Sequence, residues 1–183
     1  MKAIVLAATA AMLTGISPAS ASVLTKGSTY AESCYHHAEA HNFRQSAIDA
    51  CDNALGVEAI TPYDRVGTFV NRGILRMVSG DLGRANRDFD AALALDPRQP
   101  EAWLNKGIAL MHSGDSRAAL SHIDKAIELR TLKPELAYYI RGLANEDMGN
   151  LKGAYADLQR ARELAPKWRE PVLELARYQV RPR

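Results

Sequence analysis

The sequence predicts an all-α protein in which pairs of antiparallel helices stack into a solenoid. Three observations predict this class. One spacing of aromatic, glycine, alanine and bulky apolar residues recurs along the chain. Turn sequences of glycine followed by Asp or Asn recur with it, and the apolar residues between the turns keep helical spacing. The apolar fraction of 47% is sufficient for a buried core.

The repeated unit is clearest from Phe69 onward. In that copy the spaced residues are Phe69, Gly73, Ala85, Phe89, Ala92 and Pro97. The same spacing begins again 34 residues later at Trp103 and a further 35 residues later at Tyr138. A weaker first copy begins at Ala31, 38 residues before Phe69. The small residues belong where two helices touch, and the bulky residue continues the apolar stripe of the second helix.

The turn sequences divide each copy into two helices. They are Gly80 with Asp81, Gly114 with Asp115, and Gly149 with Asn150. Glycine suits the left-handed end of a first helix, and Asp or Asn suits the N-cap of a second. We therefore predict helices near 27–41, 44–55, 66–79, 82–95, 100–113, 116–129, 134–148 and 151–164. A ninth helix near 168–178 is expected to cap the apolar face of the last repeat.

Residues 69–73 (FVNRG) and 91–97 (AALALDP) closely resemble the consensus of the tetratricopeptide repeat, a 34-residue helix-turn-helix unit. The resemblance covers about residues 27–166. It implies a right-handed α-solenoid of about four helix pairs plus a C-terminal capping helix. The implied domain is 22–183, with repeats at about 27–59, 66–99, 100–133 and 135–168 and a cap at 168–178. Such a resemblance is specific for the fold and much less so for the function.

The first 21 residues have the features of a cleaved secretory signal peptide. Lys2 supplies the positive start, residues 3–16 are apolar and uncharged, and residues 19–21 (ASA) present small residues for cleavage. The apolar run is shorter than the roughly 20 residues that span a bilayer. We expect cleavage after Ala21 and a periplasmic or secreted chain that is not embedded in a membrane. An uncleaved anchor is the alternative.

Cys34 and Cys51 are the only cysteines, and in an exported chain such a pair suggests a disulfide. Cys34 lies on the first predicted helix of the first repeat. Cys51 lies on the second helix, at the bulky position that faces the first. The two thiols are therefore expected to meet across the helix pair. The alternative is two small buried residues with free thiols.

By the resemblance, the first helix of each repeat lines a concave surface. Its apolar residues, the concave stripe, are Val70, Ile74, Met77, Leu104, Ile108, Met111, Tyr139 and Leu143. Asn71 and Asn105 lie beside this stripe, 34 residues apart, and could hydrogen-bond a bound backbone. An apolar, Met-containing groove suits a short helix or an extended peptide. Alternatively the stripe is covered by residues 22–29, by the C-terminal helix, or by a second copy in a homodimer.

The sequence predicts a non-catalytic scaffold that binds a protein or peptide partner and needs no cofactor. A formal charge of +2 gives no reason to expect nucleic acid. There is no nucleophile elbow, phosphate-binding glycine loop or His-Glu-x-x-His motif. A metal-binding module centred on His37 and His41 is an alternative. Two imidazoles without a fixed third ligand make a weak site, so no metal is expected.

Overall fold

The structure, a computed structural model, describes residues 3–6, 20–25, 29–40 and 42–181. Over these ranges the chain forms nine helices and two short strands. The helices are α1 (Thr29–Glu39), α2 (Gln45–Gly56), α3 (Pro62–Val78), α4 (Leu82–Leu95), α5 (Pro100–His112), α6 (Ser116–Glu128), α7 (Pro134–Asp147), α8 (Leu151–Leu164) and α9 (Glu170–Leu175). The strands are β1 (Ala3–Leu6) and β2 (Tyr178–Arg181). Much of the predicted signal segment, residues 1–2 and 7–19, lies outside the described part of the chain.

Helices α1 to α8 form four consecutive pairs, α1 with α2 through α7 with α8, and each pair packs on the next. This arrangement confirms the predicted all-α solenoid. Seven of the eight repeat helices, all but α3, have bounds within two residues of those predicted. Agreement at that level is as close as helix ends are defined. The repeated spacing therefore locates the repeat helices directly.

Helix α3 begins four residues earlier than predicted, at Pro62 instead of residue 66. The side chain of Thr61 accepts a hydrogen bond from the backbone N–H of Asp64 (3.1 Å) and caps the helix. Proline is well suited to the first turn because its missing N–H has no intrahelical partner there. The connection between the first two repeats is therefore shorter than the sequence suggested.

The predicted capping helix at 168–178 is also corrected, because α9 covers only Glu170–Leu175. The chain then turns at Ala176 and continues as β2. This strand pairs antiparallel with β1, with Leu6 opposite Tyr178 and Ala3 opposite Arg181. Residues assigned to the end of the helix by apolar spacing are thus drawn into a strand by a partner from the other end of the chain.

The two helices of a repeat touch at glycine. A Cβ atom added to Gly73 would overlap the ring of Phe89, lying 2.8 Å from its Cδ1, so no side chain fits there. The same contact recurs in the next two repeats, between Gly107 and Ile123 and between Gly142 and Leu158. Phe89 is fully buried as a result. The recurring glycine and bulky residue are therefore two halves of one packing contact.

The first repeat is built differently. Its small buried cluster consists of Cys34, Ala38, Ala47, Cys51 and Leu75. A disulfide joins Cys34 of α1 to Cys51 of α2. Cys51 stands at the position that Phe89 fills in the second repeat, and Tyr35 stands at the glycine position. A covalent bond thus connects the helices where the other repeats use a bulky side chain.

Candidate functional site

The concave stripe is covered in this structure. All eight of its side chains are buried, and the most exposed, Leu143, is only 7% exposed. Of the alternatives that the sequence left open, an exposed groove or a stripe covered by the chain's own termini, this structure has the second. Residues 20–25, which we call the groove segment, lie over the stripe of the second and third repeats. Trp168 and Tyr178, which follow the last repeat helix, pack at the fourth-repeat end of the stripe.

Two asparagines hold the backbone of the groove segment. Oδ1 of Asn71 accepts a hydrogen bond from the N–H of Val23 (2.8 Å), and its Nδ2 donates to the carbonyl of Val23 (2.7 Å). Asn105 binds Ala21 in the same way, at 3.2 Å and 2.9 Å. Each amide therefore satisfies both backbone groups of one residue. The bound residues are two apart, as expected when alternate residues of an extended chain face one surface.

Both asparagines are fully buried among apolar side chains. Each lies two residues after the aromatic residue of its repeat, on the first helix, so the repeat places them in equivalent positions. Asn105 also donates to the carbonyl of Glu101 (2.8 Å), which fixes the orientation of its amide. A buried polar group without a partner costs about 1–3 kcal/mol. The two amides therefore require a backbone, or water, above them.

The groove segment runs opposite to the order of the repeats. Ala21 lies on α5 of the third repeat, and Val23 lies on α3 of the second. Thr25 reaches α1 of the first repeat, where its hydroxyl donates to the carbonyl of Ala31 (2.6 Å). A Cβ atom at Gly67 of α3 would lie 2.8 Å from Cγ2 of Thr25, so this glycine admits the segment.

The fourth-repeat end of the stripe is closed by aromatic and charged residues. The ring of Tyr139 packs against Trp168, with centroids 4.7 Å apart. The hydroxyl of Tyr178 donates to Glu146, and Arg177 binds the same carboxylate at 2.7 Å. Burial raises the pKa of Tyr139 to about 12, and burial with the Glu146 hydrogen bond raises the pKa of Tyr178. Both phenols are therefore uncharged at neutral pH.

The outer side of the groove segment faces an open pocket of about 350 Å³. It is lined by residues 20–22 and Leu24 of the groove segment, by Tyr35 and Glu39 of α1, and by Leu132 from the loop after α6. Leu24 is 45% exposed there, whereas Val23 beside it is buried. Only one side of the segment is therefore held by the repeats.

A metal centre and a membrane span find no support among the described residues. No group of three or more His, Cys, Asp or Glu side chains there is arranged to hold an ion. The Nδ1 atom of His37 lies 3.1 Å from the side-chain amide of Asn42, and His41 lies outside the described residues. Within the same part of the chain, every helix is too short or too polar to cross a bilayer.

The sequence located the two asparagines and offered residues 22–29 as one of three alternative occupants, without choosing among them. Asn71 and Asn105 were found because the repeat spacing relates them. Ala21, Val23, Thr25 and Gly67 were not identified as a unit. The only available signal was the alternation of residues 21–25 (ASVLT), in which small and β-branched residues alternate with Ser and Leu. Five residues are too few for that alternation to predict a bound strand.

The fold is shared with solved repeat structures of low sequence identity. The structure of MamA matches with a TM-score of 0.63 and 22% identity, covering 78% of this chain and 80% of MamA. The first repeat domain of Spaghetti (RPAP3), solved with an HSP90 peptide, has a TM-score of 0.58 and 24% identity. The match covers 61% of this chain and 88% of that domain. The structure of PilF of Pseudomonas aeruginosa has a TM-score of 0.69 and 18% identity, and the match covers 80% of this chain and 64% of PilF.

Sequence comparison places the repeats in a family. No curated protein matches the chain. A family model described as tetratricopeptide repeat matches residues 70–130 and 108–167, which together span more than half of the chain. These ranges contain the second half of α3, all of α4 to α8, the paired glycine and bulky residues, and both asparagines. The chain belongs to the tetratricopeptide repeat family.

Proposed function

We propose that this chain is a non-catalytic scaffold that binds an extended segment of a partner protein along its concave stripe. One observation supports the proposal. The chain's own groove segment lies on the stripe, and Asn71 and Asn105 bind its backbone at Val23 and Ala21. A surface whose side chains bind the main-chain N–H and carbonyl groups of one extended segment offers the same hydrogen bonds to another extended segment.

The asparagine geometry favours an extended chain over a helix. Each amide pairs with the N–H and the carbonyl of the same residue. In the interior of a helix those groups already bond to residues four positions away. An extended chain leaves them free on alternate residues. The solved relative with an HSP90 peptide shows that this fold accommodates a peptide in another protein.

The groove segment competes with any partner. Because it is part of the same chain, its effective concentration at the stripe is on the order of millimolar. A partner segment therefore binds only when it is present in excess or when the groove segment is weakened. A homodimer formed through the stripe would face the same requirement, because every stripe residue is already buried within one chain.

We also propose that the chain is exported to the periplasm or secreted, with cleavage after Ala21. Cleavage there would remove Ala21 from Asn105 but retain Val23 and Thr25 on the second and first repeats. We expect intact-mass measurement of the exported protein to give a chain beginning at Ser22. A secreted or periplasmic protein that retains residues 1–21 would contradict this processing, and exclusive recovery from the cytoplasm would contradict export.

Releasing the groove segment tests the binding function. In the variant Val23→Pro, the segment loses the N–H that Asn71 accepts, and Oδ1 of Asn71 is left without that partner. We expect this variant to select peptides from a phage-displayed library that the unmodified chain does not retain. Adding Asn71→Ala and Asn105→Ala should weaken the selected peptides by about 10- to 100-fold in calorimetry, because buried main-chain groups lose their partners.

The matched control is Asn53→Ala, which removes the same amide from an exposed position on α2 and should leave peptide affinity unchanged. Hydrogen exchange at the groove segment shows whether it has left the stripe. If hydrogen exchange shows that the groove segment has been released and no peptide is selected, the stripe serves only to pack the chain's own N-terminal residues. The proposed function is then wrong. Peptides that bind equally well without both asparagines would also contradict it.

A further inference from the structure

The groove segment has a pattern of side chains that matches the surface beneath it. Ala21, Val23 and Thr25 face the repeats and are at most 6% exposed. Ser22 and Leu24 face outward into the open pocket. This alternation is the one expected of an extended chain with one face buried. The inward residues therefore define three subsites, and the outward residues are less constrained because they face the open pocket.

The first subsite, over Asn105, accepts only a small side chain. Ala21 is 1% exposed and packs into the main buried cluster. Its N–H and carbonyl are both used by Asn105. A larger side chain would have to displace packed neighbours, and proline would remove the N–H. This subsite therefore selects alanine, glycine or serine.

The second and third subsites share the space above Gly67. A Cβ atom there would lie 3.0 Å from Cγ1 of Val23 and 2.8 Å from Cγ2 of Thr25. The methyl groups of two β-branched side chains thus fill the volume that glycine leaves empty. The hydroxyl of Thr25 also donates to the carbonyl of Ala31. Threonine meets both requirements of the third subsite, since serine lacks the methyl group and valine lacks the hydroxyl.

From these contacts we propose the ligand class of the concave stripe, an inference that rests on the proposed function. The stripe takes an extended segment of the form small–x–β-branched–x–Thr, with its N-terminal end over the third repeat. Proline is excluded at the first and third positions because Asn105 and Asn71 accept their N–H groups. In the uncleaved chain the groove segment is the chain's own copy of this ligand. After the cleavage proposed above, Val23 and Thr25 still occupy the second and third subsites until a partner with the same pattern displaces them.

A size-exchange experiment at Gly67 tests the pattern. The probe is a capped hexapeptide with the sequence of residues 20–25, titrated into the full chain carrying Val23→Pro. Adding Gly67→Ala to the protein should weaken this peptide about 10-fold, since the new methyl group overlaps the threonine methyl. A peptide with Thr25→Ser lacks that methyl group. It should lose about 4-fold on the protein that retains Gly67 and little more on the protein that carries Gly67→Ala, where the closest remaining neighbour of the added Cβ is Cγ1 of Val23 at 3.0 Å.

Two further peptides complete the test. Ala21→Leu in the peptide should weaken binding at least 10-fold through overpacking, and Leu24→Glu should change it by less than about 3-fold. Circular dichroism checks that each protein variant is folded. As a second route without Val23→Pro, Gly67→Ala should speed hydrogen exchange at Val23, and Thr25→Ser in the same chain should restore protection.

The outcomes separate the pattern from the function. The pattern is wrong if Gly67→Ala in the protein weakens the original hexapeptide and its Thr25→Ser form equally, or if Ala21→Leu in the peptide has no effect. Asparagine-dependent binding would still stand in either case. If library peptides bind and the hexapeptide does not, the groove segment does not represent the ligand, and the inference is overturned. If neither binds after the segment has been released, both the inference and the proposed function fail.

Discussion

We expect Asp88→Ala to lower the free energy of unfolding by about 3 kcal/mol, the low end of the cost of breaking a buried ion pair. Asp88 is buried on α4, and its carboxylate binds Arg72 at 2.6 Å and Arg76 at 2.8 Å. Both arginines lie on α3 and are about 15% exposed, so removing Asp88 leaves two partly buried charges short of a partner. Urea denaturation followed by circular dichroism measures the loss.

The chain provides a matched control for this prediction. Asp52 binds the same two arginines, at 2.7 Å and 3.5 Å, but its side chain is 45% exposed. Exposed ion pairs contribute about 0–1 kcal/mol, so Asp52→Ala should cost less than about 1 kcal/mol. Similar costs for the two substitutions would show that burial does not set the strength of this network, and would contradict the prediction.

The same arrangement in the fourth repeat supports this reasoning. Arg141 binds buried Asp157 and exposed Asp124, both at 2.7 Å. The hydrogen bond that Arg141 donates to Asp157 is the main cause that raises the pKa of Arg141 above its ordinary value. In the third repeat the acidic position is occupied by His122, and the equivalent Lys106 binds Asp90 instead. The basic residue before each repeat glycine thus binds the acid on the second helix of its own repeat where that position is an Asp. Where that position is His122, it binds an acid of the preceding repeat.

Residues that recur at the repeat spacing could be placed from the sequence. Gly73 was predicted to lie where two helices touch, and Cys34 and Cys51 were predicted to meet, because helix spacing fixes which side chains face each other. The position of Asn71 beside the stripe followed from the same spacing. Each of these residues belongs to a regular element whose neighbours are set by local geometry.

The sequence could not choose among the alternative occupants of the groove or place their contacts, because those contacts follow no repeat. The groove segment contacts α5, α3 and α1 through residues up to 84 positions away in sequence. Its alternation extends over too few residues to distinguish a bound strand from a loop. Likewise the end of α9 is set by pairing of β2 with β1 at the opposite end of the chain. Non-local pairing of short segments is the part that sequence spacing does not encode.

Loss of the disulfide should destabilise the first repeat selectively. The bond closes a loop between residues 17 positions apart, and chain entropy assigns such a loop about 3 kcal/mol. Apart from the two cysteines, the buried cluster here consists of Ala38, Ala47 and Leu75 of α3, with Phe43 and Ile48 partly buried against it, so it is far smaller than the main cluster. In a solenoid each repeat contacts mainly its neighbours. We therefore expect Cys34→Ala with Cys51→Ala to increase amide exchange about 100-fold in α1 and α2 and little in α7 and α8.

The same substitution links the first repeat to the groove. Thr25, the last residue of the groove segment, is held by the carbonyl of Ala31 on α1. When α1 is loosened, this contact weakens, and exchange at Val23 should rise along with that of α1. The unmodified chain treated with a reductant should behave like the double variant. Unchanged exchange in α1 and α2 would show that packing alone holds the repeat, whereas faster exchange in α1 with an unchanged Val23 would show that Asn71 and Asn105 hold the segment without it.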